Sequence, residues 1–132
     1  MRKKNKPVVW ENATDIKILT ENIIVEAKVS WVIKADIYYF RSYNSKARAY
    51  ARIWGLGRVW QQALKIKPSY IIEVISERYD RLGEMEQDKV LLHEIAHIPR
   101  NFSGSLLPHT RRGKNKFYDR VRNLVAQYLN RT

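Results

Sequence analysis

Every histidine of the chain falls in one short stretch, Leu91 to His109, which reads LLHEIAHIPRNFSGSLLPH. His93 and His97 stand four residues apart, and Glu94 follows the first of them. On a helix, residues four apart share one face, one turn above the other. Two imidazoles so placed can converge on one metal ion at about 2.0–2.1 Å. Glu94 is turned by about 100° from His93, so its carboxylate can reach a water on the metal without being a ligand. His-Glu-x-x-His thus reads as two zinc ligands with a general base beside them. Zinc lowers the pKa of its water toward about 7 and polarises a carbonyl. Glu94 would take the proton of that water and pass it to a leaving amine.

The flanks sharpen this reading. Val90, Leu91, Leu92, Ile95, Ala96 and Ile98 are all apolar, so the helix is expected to be buried nearly all round. A buried charge such as Glu94 needs a partner, and a metal with its water supplies one. A structural zinc site closes all four positions with protein ligands, whereas a catalytic one keeps a position open. The third ligand therefore matters. No glutamate follows His97, which leaves His109 and Asp119 downstream; Glu73, Glu77, Glu84 and Asp88 are available upstream. His109 lies on a stretch where Pro99 must end the helix, Gly104 permits a turn and Pro108 stiffens the return. The expectation is a centre of His93, His97 and His109 with one zinc ion per chain, and Asp119 as the rival third ligand. The chain has no cysteine, which excludes disulfides, thiolate zinc sites and thiol nucleophiles.

The elements that must position these residues can be read in outline. Val8 to Trp10 is a short extended piece. Thr14 caps a helix through Ile16, Leu19, Ile23 and Ala27, apolar at helical spacing. Within the β-branched and aromatic run from Val29 to Tyr43, residues 33–40 alternate as a strand does. Residues 47–54 alternate again, and residues 70–76 form a third strand after Pro68. Gly83 precedes a helix with acidic residues in its first turn, as the helix dipole favours, and that helix carries the motif to about Ile98. Residues 100–113 read as loop. Phe117 to Leu129 is a last amphipathic helix, with Val121, Leu124, Val125, Tyr128 and Leu129 on its inner side. The class is α+β: a three-stranded mixed sheet with an N-terminal helix, an active-site helix and a C-terminal helix. Residues 1–6 read as a flexible basic tail and residues 7–132 as one domain.

Composition bounds the function. In 132 residues, 45% are hydrophobic and 11% aromatic, enough for a packed core. No leader segment and no run of about 20 apolar residues is evident, so a cytoplasmic protein without a membrane partner is expected. The net charge is +12 and is unevenly spread. Residues 1–6 contribute +4 and residues 100–132 contribute +7, while the middle has 13 basic and 12 acidic side chains. Basic ends of this kind can mark a nucleic-acid surface.

Three stretches, VISERYDRL, LLHEIAHIP and FSGSLLPH, together resemble an uncharacterised family of predicted zinc metallopeptidases found mainly in archaea and their viruses. The resemblance covers roughly residues 70–113. It implies a small zincin-like fold, with His93 and His97 as ligands, Glu94 as base and His109 as third ligand, and it brings no substrate. In zincins an edge strand above the active-site helix pairs with an extended substrate, and residues 47–54 are the candidate. Tyr118, Arg111 and Arg112 are candidates for steadying an oxyanion, and Glu77 for orienting a ligand histidine. The function expected is a zinc-dependent peptidase acting on a peptide or protein. The alternatives are a nucleic-acid-binding protein with a structural or vestigial zinc site, or a metalloprotease recruited by nucleic acid.

Overall fold

The computed structural model describes residues 6–29, 31–32, 36–109 and 117–130. The elements in chain order are β1 (Val9–Asn12), α1 (Thr14–Glu26), β2 (Asp36–Tyr43), β3 (Ala51–Gly55), α2 (Arg58–Leu64), β4 (Ser69–Ile75), α3 (Ser76–Tyr79), α4 (Glu84–Ala96) and α5 (Phe117–Leu129). The expected basic tail lies outside the described residues except for Lys6, as do residues 33–35, Arg111 and Arg112.

The sheet has four strands, not three, in the order β1-β2-β4-β3. The extra strand is β1, whose residues are all exposed. It pairs antiparallel with β2, Val9 opposite Tyr43 and Asn12 opposite Phe40. The sheet is mixed, because β2 runs parallel to β4 while β3 runs antiparallel to it. The second expected strand begins at Ala51 rather than at residue 47. Since β2 and β3 are not neighbours, residues 44–50 must carry the chain past β4, and Tyr50 meets it at the end, where its carbonyl accepts from the Ile75 N–H at 2.9 Å.

One face of the sheet builds the core. Tyr39, Tyr70, Ile72 and Val74 pack there with Ile16 and Ile23 of α1 and with Leu91, Leu92 and Ile95 of α4. The result is a small α+β domain with α1, α3, α4 and α5 contributing to the core on that face. Helix α1 starts at Thr14, but Ala13 holds the cap position and no side chain caps it. The backbone of Ala13 instead donates to Tyr39 O at 3.0 Å, tying the helix entry to β2. Helix α5 spans the expected residues and buries Phe117, Leu124 and Tyr128, whereas Leu129 is exposed. Among the described residues, no helix is long and apolar enough to cross a membrane.

Candidate metal centre

Helix α4 opens after Gly83 with Glu84 and Glu86 in its first turn, acidic groups where the helix dipole is positive. It ends at Ala96, and His97 takes the cap position with helical dihedrals, φ −73° and ψ −15°. His93 and His97 therefore still stand on successive turns. The last carbonyls of α4 would otherwise be orphaned. Arg120 of α5 supplies donors at and just beyond the helix end, from Nε to Ala96 O at 2.9 Å and from an Nη to Ile98 O at 2.8 Å. The same guanidinium lies 4.8 Å from the centre of the Trp31 ring. In the sequence Arg120 is simply one of the basic residues of the C-terminal end.

After Pro99 the chain returns to the site along residues 103–109, and named groups hold it there. The Leu107 N–H donates to His97 O at 2.7 Å, and Leu107 O lies 2.5 Å from His97 Nδ1. Gly104 N–H donates to the Tyr70 hydroxyl at 2.9 Å, and that hydroxyl donates to Ser105 O at 3.0 Å. Gln61 Nε2 bridges Leu56 O and Ser103 O. Gly104 has φ +91°, and a Cβ there would run into the Leu56 carbonyl. Only glycine meets both demands without cost. The turn expected at Gly104 is thus where the loop presses against the end of β3.

These restraints bring His109 to the helix. Its Nε2 lies 3.1 Å from Nε2 of His93 and 3.1 Å from Nε2 of His97. A ligand nitrogen from each of the three rings lies within 4.8 Å of the others. Two nitrogens bound tetrahedrally to one zinc sit about 3.3 Å apart, given bonds of about 2.0–2.1 Å, so the spacing suits such an ion. The donor chemistry suits it as well. His97 Nδ1 faces a carbonyl and must carry the ring's proton there, which leaves a lone pair on Nε2. His97 thus presents a lone pair toward the other two Nε2 atoms, and a cation between them would satisfy lone pairs on all three. Burial, followed by the neighbouring His97 and His109, pushes His93 down to about 4. Burial also lowers His97, with His109 adding to the effect and the Leu107 carbonyl opposing it. Both rings therefore favour the neutral form that binds metal.

Glu94 is 6% exposed. Burial alone pushes its carboxyl up to about 8, and among the described residues it makes no hydrogen bond or ion pair. Phe117 packs against all three imidazoles. Its ring stacks on His97 at 4.2 Å and meets His93 and His109 edge-on at 5.0 and 4.8 Å. No sequence motif singled it out, since its part depends on where α5 docks. Tyr118 is exposed, with ring centres 6.4 Å from His93 and 6.1 Å from His109, so it borders the cluster.

The other candidate ligands lie elsewhere. Asp119 is ion-paired with Arg122. Glu73 is paired with Arg52, and Asp88 accepts from the Tyr128 hydroxyl. Glu77 accepts from the Asn44 N–H and orients no histidine among the described residues. Glu84 is exposed at the start of α4 and, like these four, is absent from the cluster.

Searches among curated proteins and among solved structures found no match. A protein-family model described as "Putative phage metallopeptidase" matches residues 8–128. That span takes in every element of the fold apart from the last residue of α5, and both the helix and the loop that bring the histidines together. The chain belongs to the putative phage metallopeptidase family.

Proposed function

We propose that this protein is a zinc-dependent peptidase with a zincin-like active site, holding one zinc ion on His93, His97 and His109. The observation that carries the reading is the convergence of three imidazole nitrogens beside a buried, unpartnered carboxylate. When bound, zinc supplies a Lewis acid and an acidified water. The chain's own groups do the rest. His93 and His97 arrive neutral and need lose no proton to bind. Burial raises the proton affinity of the Glu94 carboxylate, which makes it a stronger base. Its oxygens take a proton from water and return it to the nitrogen of the departing amine. A cation on the neighbouring rings favours the carboxylate form, which is the form that can accept. Phe117 keeps bulk water off one side of the imidazoles. Strand β3 is an edge strand of the sheet and packs beside α4, so an extended peptide could add to it as a further strand.

Replacing the base separates its role from that of the ligands. Glu94→Gln is expected to keep the metal and lose cleavage of a denatured protein substrate, because an amide of similar size cannot accept the proton. Metal content and cleavage should be measured on the same preparation. Cleavage at the parent rate would remove Glu94 from its role, and loss of zinc would make it a ligand instead.

A further inference from the structure

The second face of the sheet has no part in the metal centre. Cross-strand partners point the same way. Phe40, Glu73 and Arg52 form one rung of this face, and Tyr38, Ile71 and Trp54 form the next. Trp10 joins them from β1, opposite Ser42. The core cluster lies on the other side of the sheet, although Ser42 and Ile75 at one end of this face are buried as well. Trp10, Tyr38 and Trp54 are 53%, 57% and 47% exposed.

Amid these rings Glu73 is fully buried. It accepts hydrogen bonds from Trp54 Nε1 at 2.8 Å, Trp10 Nε1 at 3.3 Å and Arg52 Nε at 2.8 Å. One carboxylate of an inner strand therefore draws the N–H edges of two indoles, one from each edge strand, inward over the same face. The Arg52 guanidinium also lies 4.8 Å from the centre of the Trp54 ring. The rings are held in place before any ligand arrives, and the Arg52–Glu73 pair adds no net charge.

The surroundings are basic. Residues 37–72 carry seven basic and no acidic side chains; of the seven, Arg41 lies on the core side, opposite Val74 and ion-paired with Asp15 and Asp80, and Arg52 is paired with Glu73, while the exposed Asp36 precedes Tyr38 on this face. Lys46 and Arg48 lie in the crossing segment after β2. Lys6 enters β1 at that same end of the sheet, because Val9 is paired with Tyr43. Two copies of such a face would repel one another. A flat set of fixed aromatic rings with cations along its border suits a polyanion whose own rings are free to stack.

We propose that this open face binds single-stranded nucleic acid, with bases stacking on Trp10, Tyr38, Phe40 and Trp54 and phosphates following the basic border. Duplexes keep their bases stacked inside and cannot use such a platform. The test is fluorescence anisotropy of a fluorescein-labelled oligothymidylate of about 20 nucleotides, titrated with the full chain. The parent should bind it more tightly than a duplex of equal length. Tyr38→Ala and Trp10→Ala should each weaken binding at least about 5-fold, the loss expected for one stacked base. Trp60→Ala, which removes an exposed tryptophan of α2 outside the strands of the sheet, should change nothing, and neither should Glu94→Gln. Trp10→Ala also removes a bond to Glu73, so if circular dichroism shows it unfolded, Tyr38→Ala alone decides. Failure of the parent to bind, equal binding of the duplex, or parent-like binding by Tyr38→Ala would overturn the proposal. A concentration-dependent dimer that Tyr38→Ala dissolves would overturn it too, by making the face an interface between copies of the chain.

Discussion

His109 is the one member of the histidine cluster that no helix holds. His93 and His97 come together through the geometry of α4, but His109 arrives only because Tyr70, Gln61 and the backbone of His97 fix the loop before it. Two imidazoles leave zinc half-coordinated, so His109→Ala is expected to weaken zinc affinity at least about 10-fold, since even outer partners of a ligand are worth that much, and to abolish hydrolysis. Asp119→Ala should leave both near the parent value, because Asp119 is occupied with Arg122. A competitive chelator titration of the two variants checks this; loss of metal by Asp119→Ala alone would exchange their roles. The spacing of His93, Glu94 and His97 was legible because a helix turns every 3.6 residues whatever surrounds it. His109 was legible through Pro99, Gly104 and Pro108, which mark where a chain stops, turns and stiffens. Phe117 was not, since nothing local says which side chains a docking helix will meet.

At the scale of elements, Tyr70 of β4 links the sheet to the returning loop. Tyr70→Phe keeps the buried ring but leaves the Gly104 N–H without its acceptor, at a cost of about 1–3 kcal/mol. Zinc affinity should fall with it, because the same loop presents His109; urea unfolding and chelator titration on one preparation would show both. Glu73 ties β1, β4 and β3 together. Burial pushes its carboxyl up, but Arg52, Ser42 and Trp54 together hold it below its ordinary value of 4.5. A carboxyl lowered by folding stabilises the fold above its ordinary value and loses that contribution as pH falls through the folded one. Glu73→Gln is therefore expected to cost roughly 1–3 kcal/mol at pH 7, discounted because Arg52 is partly exposed. The gap from the parent should close as the pH drops below about 4. Denaturant midpoints at pH 7 and pH 3.5 measure it, and a gap that stays constant would contradict the account. The long helices were visible through their apolar stripes. Helix α2 was not, because it buries no residue and so prints no period of burial, and β1, which exposes all its residues, was legible only as a short extended piece. The alternation in residues 47–50 misled for the opposite reason: it has the period of a strand in a segment that only crosses the end of the sheet.

For the molecule as a whole, the strand order β1-β2-β4-β3 is what the sequence could not display, since pairing between distant strands is decided by packing rather than by local pattern. That order puts the histidine helix and core on one side of the sheet and the aromatic face on the other. Apart from Asp119, the acidic residues fall in residues 11–36 and 73–94, the stretches that supply α1, α3 and α4. A metal at the three histidines would link α4 to the returning loop, so its affinity is also a property of the fold. X-ray absorption at the zinc edge, on protein made without a histidine tag and loaded with one equivalent of zinc, tests the centre most directly. The account predicts three imidazole nitrogens at about 2.0–2.1 Å and an oxygen from water in the remaining position. A chain that takes up no zinc, or a first shell with fewer than three imidazoles or no oxygen, would contradict it.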